Sequence, residues 1–179
     1  MARIVILRHA PAVHGGLVAG RRDVDADCTG IADPAGIRRR IGVVAQVVSS
    51  PARRCVQTAR ALGLHPDREC PALWEQDFGA WEGLPYDALP DLGPLPVAEL
   101  ARHRPPGGES FTDMAARVRP VLDGLDRDTL VIAHGGTARA ALSLVVGPPA
   151  LSFQVAPLSL TVLHHAGGDW SVEAVNVTA

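Results

Sequence analysis

The sequence predicts an α/β fold built around a mostly parallel sheet. Short apolar runs rich in β-branched residues occur at 3–7, 43–48 and 130–133. The second and third runs are each followed by a turn signal and then by a stretch of helical character, at 52–62 and 137–146. Short strands that break into a turn and a helix are typical of the βα units of a parallel sheet.

A helix is predicted over residues 110–125. Ser110 and Asp113 form a start that resembles a capping box. Six apolar residues then recur on one face at helical spacing: Phe111, Met114, Val118, Val121, Leu122 and Leu125. Pro120 lies within this pattern, so we expect it to kink or interrupt the helix.

The segment 84–108 differs from the rest of the chain because it contains six prolines, at positions 85, 90, 94, 96, 105 and 106. These prolines argue against a long regular helix. We predict a partly ordered excursion over the sheet and the active site, which serves as a lid or only as a surface insertion.

The end of the sequence predicts a β-hairpin, with strands at 160–164 and 171–177 joined by Gly167-Gly168-Asp169. No internal repeat is visible, and a length of 179 residues suits one domain with a sizeable core. We therefore predict a single domain over 1–179.

Composition excludes several classes of function. The net charge is -2, so the chain has no basic surface for nucleic acid or membrane lipid. All 17 basic residues are arginine, which removes Schiff-base lysines and Walker-type lysines from consideration. The three cysteines form no CxxC pair, which argues against a thiolate zinc site and fits reduced thiols. The first strand leaves no room for a secretory signal, and no apolar run could span a bilayer, so we expect a cytoplasmic protein.

Groups suited to anion binding follow all three predicted parallel strands: Arg8 and His9, Arg53 and Arg54, and His134. Each group alone has an ordinary structural explanation, but their coincidence at three strand ends favours function. Ligands of open parallel sheets bind beyond the carboxyl ends of the strands. Converging cations would repel one another unless an anion neutralised them, and phosphate is the commonest candidate. Gly135 and Gly136 would add free N–H groups at a helix start.

Five segments of the chain carry a family resemblance: LRHA at 7–10, SSPARRCVQTA at 49–59, LWEQDFGAWEG at 73–83, PPGGES at 105–110 and AHGGTARA at 133–140. In content and order they resemble the motifs of the histidine phosphatase superfamily, the phosphoglycerate mutase-like group. The resemblance extends over nearly the whole chain. It implies a three-layer α/β/α fold with a mostly parallel central sheet, phosphoglycerate mutase-like.

The resemblance also implies a set of catalytic residues: the nucleophile His9, the phosphate ligands Arg8 and Arg54, the second histidine His134, and the proton donor Glu75. Phosphoryl transfer depends mainly on positioning and on stabilising charge on the equatorial oxygens. The N–H of Gly135 would contribute to that stabilisation. Glu75 must carry a proton for the leaving alkoxide, which requires partial burial. Trp74, Phe78 and Trp81 could form an apolar wall beside it or could simply pack in the core.

Some positions depart from the family pattern. The family often reads Arg-His-Gly-Glu or Arg-His-Gly-Gln where this chain has Ala10-Pro11 after the histidine, and Gly15 stands where an asparagine is common. His14 could donate to the phosphate instead, or lie at the surface. The segment GRRDVDADCTG at 20–30, with FGAWEG, is most similar to the α-ribazole phosphatase group. Arg21 and Asp23 would then line the substrate side.

The implied function is a metal-independent phosphomonoesterase without cofactor, which forms a phosphohistidine while hydrolysing a small phosphorylated metabolite. α-Ribazole 5'-phosphate is the candidate substrate. The alternatives are a phosphoglycerate mutase-type phosphotransferase, a phosphohistidine phosphatase and a non-catalytic phospho-ligand binding module. A metal-dependent hydrolase is a further alternative, in which the ligands would be His9, His14, His134 and Glu75. Arg8 and Arg54 would oppose a dication bound there. The sequence leaves the oligomeric state open.

Overall fold

The structure, a computed structural model, describes residues 1–178. These residues contain a central sheet of six strands: β1 (Ala2–Arg8), β2 (Gln46–Ser49), β3 (Arg68–Glu69), β4 (Thr129–Ala133), β5 (Leu160–Ala166) and β6 (Asp169–Val177). The strand order is β3-β2-β4-β1-β5-β6. The first four strands in this order run parallel, whereas β5 is antiparallel to β1 and β6 is antiparallel to β5. The prediction of a mostly parallel sheet is confirmed.

Helices cover both faces of the sheet: α1 (Pro34–Ile41), α2 (Arg53–Ala61), α3 (Val97–Arg102), α4 (Phe111–Asp123) and α5 (Gly135–Val146). Apolar side chains of α1 and α2 pack on one face, and those of α3, α4 and α5 pack on the other. The fold therefore has three layers, as the sequence predicted. None of the helices within residues 1–178 is long and apolar enough to cross a membrane.

The continuous apolar run of β1 reflects its position in the sheet, between β4 and β5. Ile4 and Ile6 contribute to the core on one face, and Val5 and Leu7 contribute to the core on the other. Successive side chains of a strand point to opposite faces, so a strand that is covered on both faces needs apolar residues at every position. β1 is thereby a rigid support for the residues at its carboxyl end.

The predicted elements differ from the observed ones mainly at their ends. The second strand begins at Gln46 instead of residue 43, and Val43 is 93 % exposed. The α4 capping box is present, because the Ser110 side chain accepts from the Asp113 N–H and Asp113 accepts from the Ser110 N–H. Pro120 does not break α4, which continues to Asp123. The exposed position of Pro120 and its place in the last turn limit the disturbance that its missing N–H causes.

The proline-rich segment 84–108 contains only short elements, a 3₁₀ turn at Tyr86–Ala88 and the six-residue helix α3. Its start is fixed by an antiparallel bridge between Leu17 and Pro85. The Val18 N–H also donates to the Leu84 carbonyl at 2.9 Å. These contacts hold the beginning of the segment against the loop that follows β1.

Candidate active site

A cavity of about 340 Å³ opens beyond the carboxyl ends of β1 and β2. Arg8 is the last residue of β1, and His9 follows it. Arg54 lies in the first turn of α2, directly after the turn that ends β2. These three residues line the cavity together with His14 and Glu75. His134, which follows β4 and caps α5, lies behind His9 with its ring centroid 5.2 Å from that of His9.

His9 is held in one orientation and is 4 % exposed. Its Nδ1 lies 2.6 Å from the Ala10 carbonyl oxygen, which can only accept, so Nδ1 carries the hydrogen. The Ala10 N–H in turn donates to Thr58 Oγ1 at 2.9 Å. Burial lowers the pKa of His9 to about 3, and the nearby charges of Arg54 and Arg8 act in the same direction. His9 is therefore neutral, and its Nε2 keeps a free lone pair.

His134 is fully buried and neutral for the same reasons. Burial, and then the charge of Arg54, lowers its pKa well below the usual value. Its Nε2 lies 2.9 Å from Ser50 Oγ, and the Trp74 ring stacks parallel to it at 6.4 Å. Cys55 Sγ lies 3.7 Å from Nε2, and burial raises the pKa of that thiol, which stays protonated. Trp74 thus packs on His134.

Arg54 lines the cavity and binds the loop that follows β1. Its side chain is buried, and it donates to the carbonyls of Gly20 at 2.8 Å and Arg22 at 3.0 Å. Its guanidinium also lies 5.8 Å from the Trp74 ring centre. The neighbouring Arg53 is exposed and pairs with Asp25 at 2.6 Å. The two arginines of this pair therefore face different surroundings, and Arg54 is the one at the cavity.

Arg8 presents an unused donor. Its Nη1 donates to the Val155 carbonyl, whereas its buried Nε has no partner among the described residues. Burial lowers its pKa, and the charge of Glu75 opposes that shift. A Cβ at Gly135 would lie 3.7 Å from this Nε, so Gly135 sits behind Arg8 at the start of α5. A buried charged donor without a partner is costly, and an anion in the cavity would satisfy it.

Glu75 lines the opposite side of the cavity. One carboxylate oxygen accepts from the Gly136 N–H at 3.3 Å, and the other accepts from the Gln76 N–H at 3.0 Å. A Cβ at Gly136 would lie 2.0 Å from Glu75 Oε1, so the carboxylate can approach α5 only because residue 136 is glycine. Phe78 and Trp81 also line the cavity. Of the two roles expected for them, an apolar wall and simple packing in the core, this position fits the first.

An ion pair that the sequence analysis did not anticipate supports Glu75 from behind. Arg117 on α4 donates to the carbonyls of Ala72 at 2.7 Å and Trp74 at 3.0 Å, and it forms an ion pair with Glu109. Glu109 belongs to the quoted PPGGES segment, but nothing in the local pattern marked Arg117, whose carbonyl partners at Ala72 and Trp74 lie 45 and 43 residues away in the chain. Together the pair fixes the backbone that carries Trp74 and Glu75.

The three predicted substrate contacts lie in different places. His14 lines the cavity, and its Nδ1 is buried without a partner among the described residues. Gly135 lies behind Arg8 and does not itself line the cavity. Arg21 does not line the cavity either. Its guanidinium lies 3.6 Å from the carboxylate of Glu109. Asp23 accepts from the Arg53 N–H at 2.8 Å and so helps to place the start of α2. Within residues 1–178, no group of three or more His, Cys, Asp or Glu side chains is placed to hold a metal ion.

A family model described as "Histidine phosphatase superfamily (branch 1)" matches residues 4–178. The chain belongs to the histidine phosphatase superfamily. The resemblance that the five segments suggested is therefore confirmed, whereas the closer likeness to the α-ribazole phosphatase group stays a prediction.

Relatives in this superfamily differ in length and in named activity. A glucosyl-3-phosphoglycerate phosphatase of Mycolicibacterium vanbaalenii is 30% identical in an alignment of length 171 that covers 82% of this chain and 75% of that protein. A bifunctional protein of Mycobacterium tuberculosis is 36% identical in an alignment of length 165 that covers 80% of this chain but 44% of that protein. The chain thus spans less than half the length of this longer relative.

Solved structures share the fold over the whole chain. A mycobacterial glucosyl-3-phosphoglycerate phosphatase in complex with VO3 superposes with a TM-score of 0.85 at 28% identity, covering 99% of this chain and 100% of that one. A Thermus thermophilus protein superposes with a TM-score of 0.80 at 26% identity, covering 98% of this chain and 99% of that one.

Proposed function

We propose that the chain is a metal-independent phosphomonoesterase that hydrolyses a small phosphorylated metabolite through a phosphohistidine on His9. The observation that carries the proposal is the state of His9, a neutral imidazole whose Nδ1 hydrogen is bound to a carbonyl and whose Nε2 lone pair is free at the cavity. Only the unprotonated nitrogen of a histidine can attack phosphorus.

In the first step, His9 Nε2 forms a bond to phosphorus while the bond from phosphorus to the alcohol oxygen breaks. Arg8 and Arg54 stabilise the charge on the transferring phosphoryl group, and His134 holds the position of His9 from behind. Glu75 gives its proton to the departing alkoxide. In the second step, Glu75 takes a proton from water, the water oxygen attacks phosphorus, and the P–N bond breaks. His9 then returns to its neutral form and inorganic phosphate leaves.

We also infer that the chain acts as one histidine phosphatase domain in which the segment 84–108 covers the site. Tyr86 and Leu89 of this segment line the cavity beside the phosphate-binding residues, which supports that role. His14 contributes a buried nitrogen without a partner, which supports a contact with substrate. Arg21 would need to leave Glu109 before it could contact substrate, so it is the weakest of the proposed contacts.

Hydrolysis is the reaction best supported by the cavity. The arginines that line it are Arg8 and Arg54, enough for one phosphate but not for the two phosphates of a bisphosphate intermediate. α-Ribazole 5'-phosphate stays the candidate substrate suggested by the segment 20–30. A glucosyl-3-phosphoglycerate is the second candidate, favoured by the relative that carries this name.

The test is hydrolysis of 4-nitrophenyl phosphate with EDTA present, by the parent protein, by His9→Ala and by His164→Ala. His164 pairs with Glu173 on the far strands of the sheet and serves as the matched histidine control. We expect EDTA-resistant activity in the parent and the control, and its loss in His9→Ala. Acid-labile, alkali-stable phosphate on the parent enzyme would reveal the phosphohistidine. Activity that survives in His9→Ala would contradict the proposed nucleophile, and activity that EDTA abolishes would favour a metal-dependent hydrolase.

A further inference from the structure

Two groups of side chains line the cavity. The ionisable group, called the floor below, comprises Arg8, His9, Arg54 and Glu75, with His14 beside them in the lining. The mainly apolar and aromatic group, called the upper part, comprises Pro11, Val18, Phe78, Trp81, Tyr86 and Leu89. A phosphate bound at the floor would therefore direct its alcohol substituent toward apolar surface. Such a division is usual where a few polar groups orient a ligand and apolar walls bind the remainder.

None of the residues of the upper part is an arginine. Of the described residues that line the cavity, the arginines are Arg8 and Arg54, and both lie at the floor. Two nitrogens of Arg54 are already bound to carbonyl oxygens. Arg21, a predicted substrate contact that does not line the cavity, is paired with Glu109. A carboxylate on the substrate would therefore lose water without gaining an arginine partner.

Tyr86 gives the upper part an aromatic rim. It is 59 % exposed although it lines the cavity, and its ring meets the His14 ring edge to face at 6.1 Å. The bridge between Leu17 and Pro85 fixes the backbone immediately before it. An exposed ring held at a cavity mouth can cover an apolar or aromatic ligand at little cost in side-chain entropy.

We infer that the site selects phosphomonoesters whose alcohol part is uncharged and presents an apolar or aromatic face, and that it discriminates against alcohols that carry a carboxylate. This inference rests on the proposed phosphatase function and specifies its substrate class. It disfavours the second of the two candidate substrates above, a glucosyl-3-phosphoglycerate, because a glycerate bears a carboxylate. It is compatible with a nucleoside-like alcohol such as α-ribazole.

Binding of non-hydrolysable phosphonates tests the inference without any turnover. Propylphosphonate and 3-phosphonopropionate have chains of equal length that end in a methyl group and a carboxylate, respectively. Calorimetry on the parent protein should show 3-phosphonopropionate binding at least about tenfold more weakly than propylphosphonate. Benzylphosphonate should bind more tightly than both. Equal or tighter binding of 3-phosphonopropionate would overturn the inference, even if the enzyme proves to be an active phosphatase.

Turnover supplies the second test. Glycerol 3-phosphate and 3-phosphoglycerate differ by a hydroxymethyl group and a carboxylate, and benzyl phosphate adds an aromatic alcohol of comparable leaving ability. We expect kcat/KM to be highest for benzyl phosphate and at least about tenfold lower for 3-phosphoglycerate than for glycerol 3-phosphate. Loss of all hydrolysis, with the phosphonate preference retained, would contradict the proposed function and leave the binding preference standing.

The rim is tested by Tyr86→Ala, with Phe153→Ala as a matched control, because Phe153 is an exposed aromatic residue that does not line the cavity. Tyr86→Ala should lower the ratio of kcat/KM for benzyl phosphate to that for glycerol 3-phosphate by about two- to tenfold. Tyr86→Phe and Phe153→Ala should keep the parent ratio. An unchanged ratio in Tyr86→Ala would show that Tyr86 does not contribute to selection.

Discussion

The ion pair behind Glu75 can be tested by replacing Arg117 with methionine, which keeps an unbranched apolar stem of similar length but removes the guanidinium and its five donors. Arg117 donates to the carbonyls of Ala72 and Trp74 and pairs with Glu109. The side chains of Arg117 and Glu109 are only 22% and 17% exposed, so solvent screens the pair weakly. The change therefore leaves two carbonyls and one carboxylate without their cationic partner.

The magnitude follows from these contacts. Breaking a buried ion pair by removing one partner costs about 3–5 kcal/mol. Glu109 keeps the Asp77 N–H at 3.1 Å and Arg21 at 3.6 Å, so we expect the lower end, about 3 kcal/mol of unfolding free energy. For a chain of this size that is a fall in Tm of roughly 6–12 °C. Arg119→Met is the matched control on the same helix, because Arg119 forms an exposed pair with Asp123, and such pairs contribute about 0.2–1 kcal/mol.

The catalytic consequence depends on the leaving group. Arg117→Met loosens the backbone that positions the proposed proton donor Glu75, and a displacement of about 1 Å can cost on the order of 100-fold in rate. Benzyl phosphate needs a proton on its leaving oxygen, whereas 4-nitrophenyl phosphate does not. We expect kcat/KM, which reports only the steps up to departure of the alcohol, to fall about tenfold or more for benzyl phosphate and no more than about threefold for 4-nitrophenyl phosphate. An equal fall for both substrates would refute Arg117 as a positioning residue for Glu75.

Two further predictions concern stability. Gly79 has a φ of 50°, and a Cβ there would lie 2.3 Å from the Pro106 carbonyl oxygen, so Gly79→Ala should lower the unfolding free energy in urea by about 2–5 kcal/mol. Gly93→Ala, with a φ of 66° but nothing within 4 Å, should cost only about 1–2 kcal/mol, and equal costs would contradict the close contact at position 79. Because the folded pKa of His9 is about 3, the unfolded chain binds the extra proton between that value and about 6.5, so stability falls as the pH falls through this window. His9→Gln should flatten this dependence by up to about 1.4 kcal/mol per pH unit in urea titrations, and an unchanged slope would mean that His9 is protonated in the folded state.

Much of the fold could be predicted because each βα unit carries its own local signal. β1 and β4 are buried on both faces and are therefore apolar throughout, and the Ser110 cap marks the start of α4. The site could be predicted to the same extent, because its principal residues follow strand ends whose positions the apolar runs reveal. Arg54, not Arg53, faces the cavity. The family motif indicated this choice, whereas the polarity of the two neighbouring arginines could not distinguish them.

The elements and contacts that were not predicted either lack an apolar sequence pattern or depend on tertiary packing. β3 consists of Arg68 and Glu69, both exposed, and it pairs with β2 through its backbone alone. α1 lies in a polar stretch, although Asp33 accepts from the Gly36 N–H and Pro34 opens the helix, which are ordinary start signals. The pairing of Arg117 with Glu109 and distant carbonyls depends on tertiary packing, so no local pattern could reveal it.

The electrostatics of the site correct one step of the sequence argument. From the sequence, we expected positive charges to converge at the three strand ends and to need an anion that neutralises them. In the structure, burial lowers the pKa of both His9 and His134, so neither is charged. The guanidinium of Arg54 donates to two carbonyl oxygens. The two histidines therefore add no positive charge to the site, and the cations that remain are Arg8 and Arg54. Burial lowers the pKa of Arg8, and repulsion from Arg54 acts in the same direction. Because the histidines are neutral, the attraction for phosphate comes from the arginines, while His9 keeps the lone pair that a nucleophile needs.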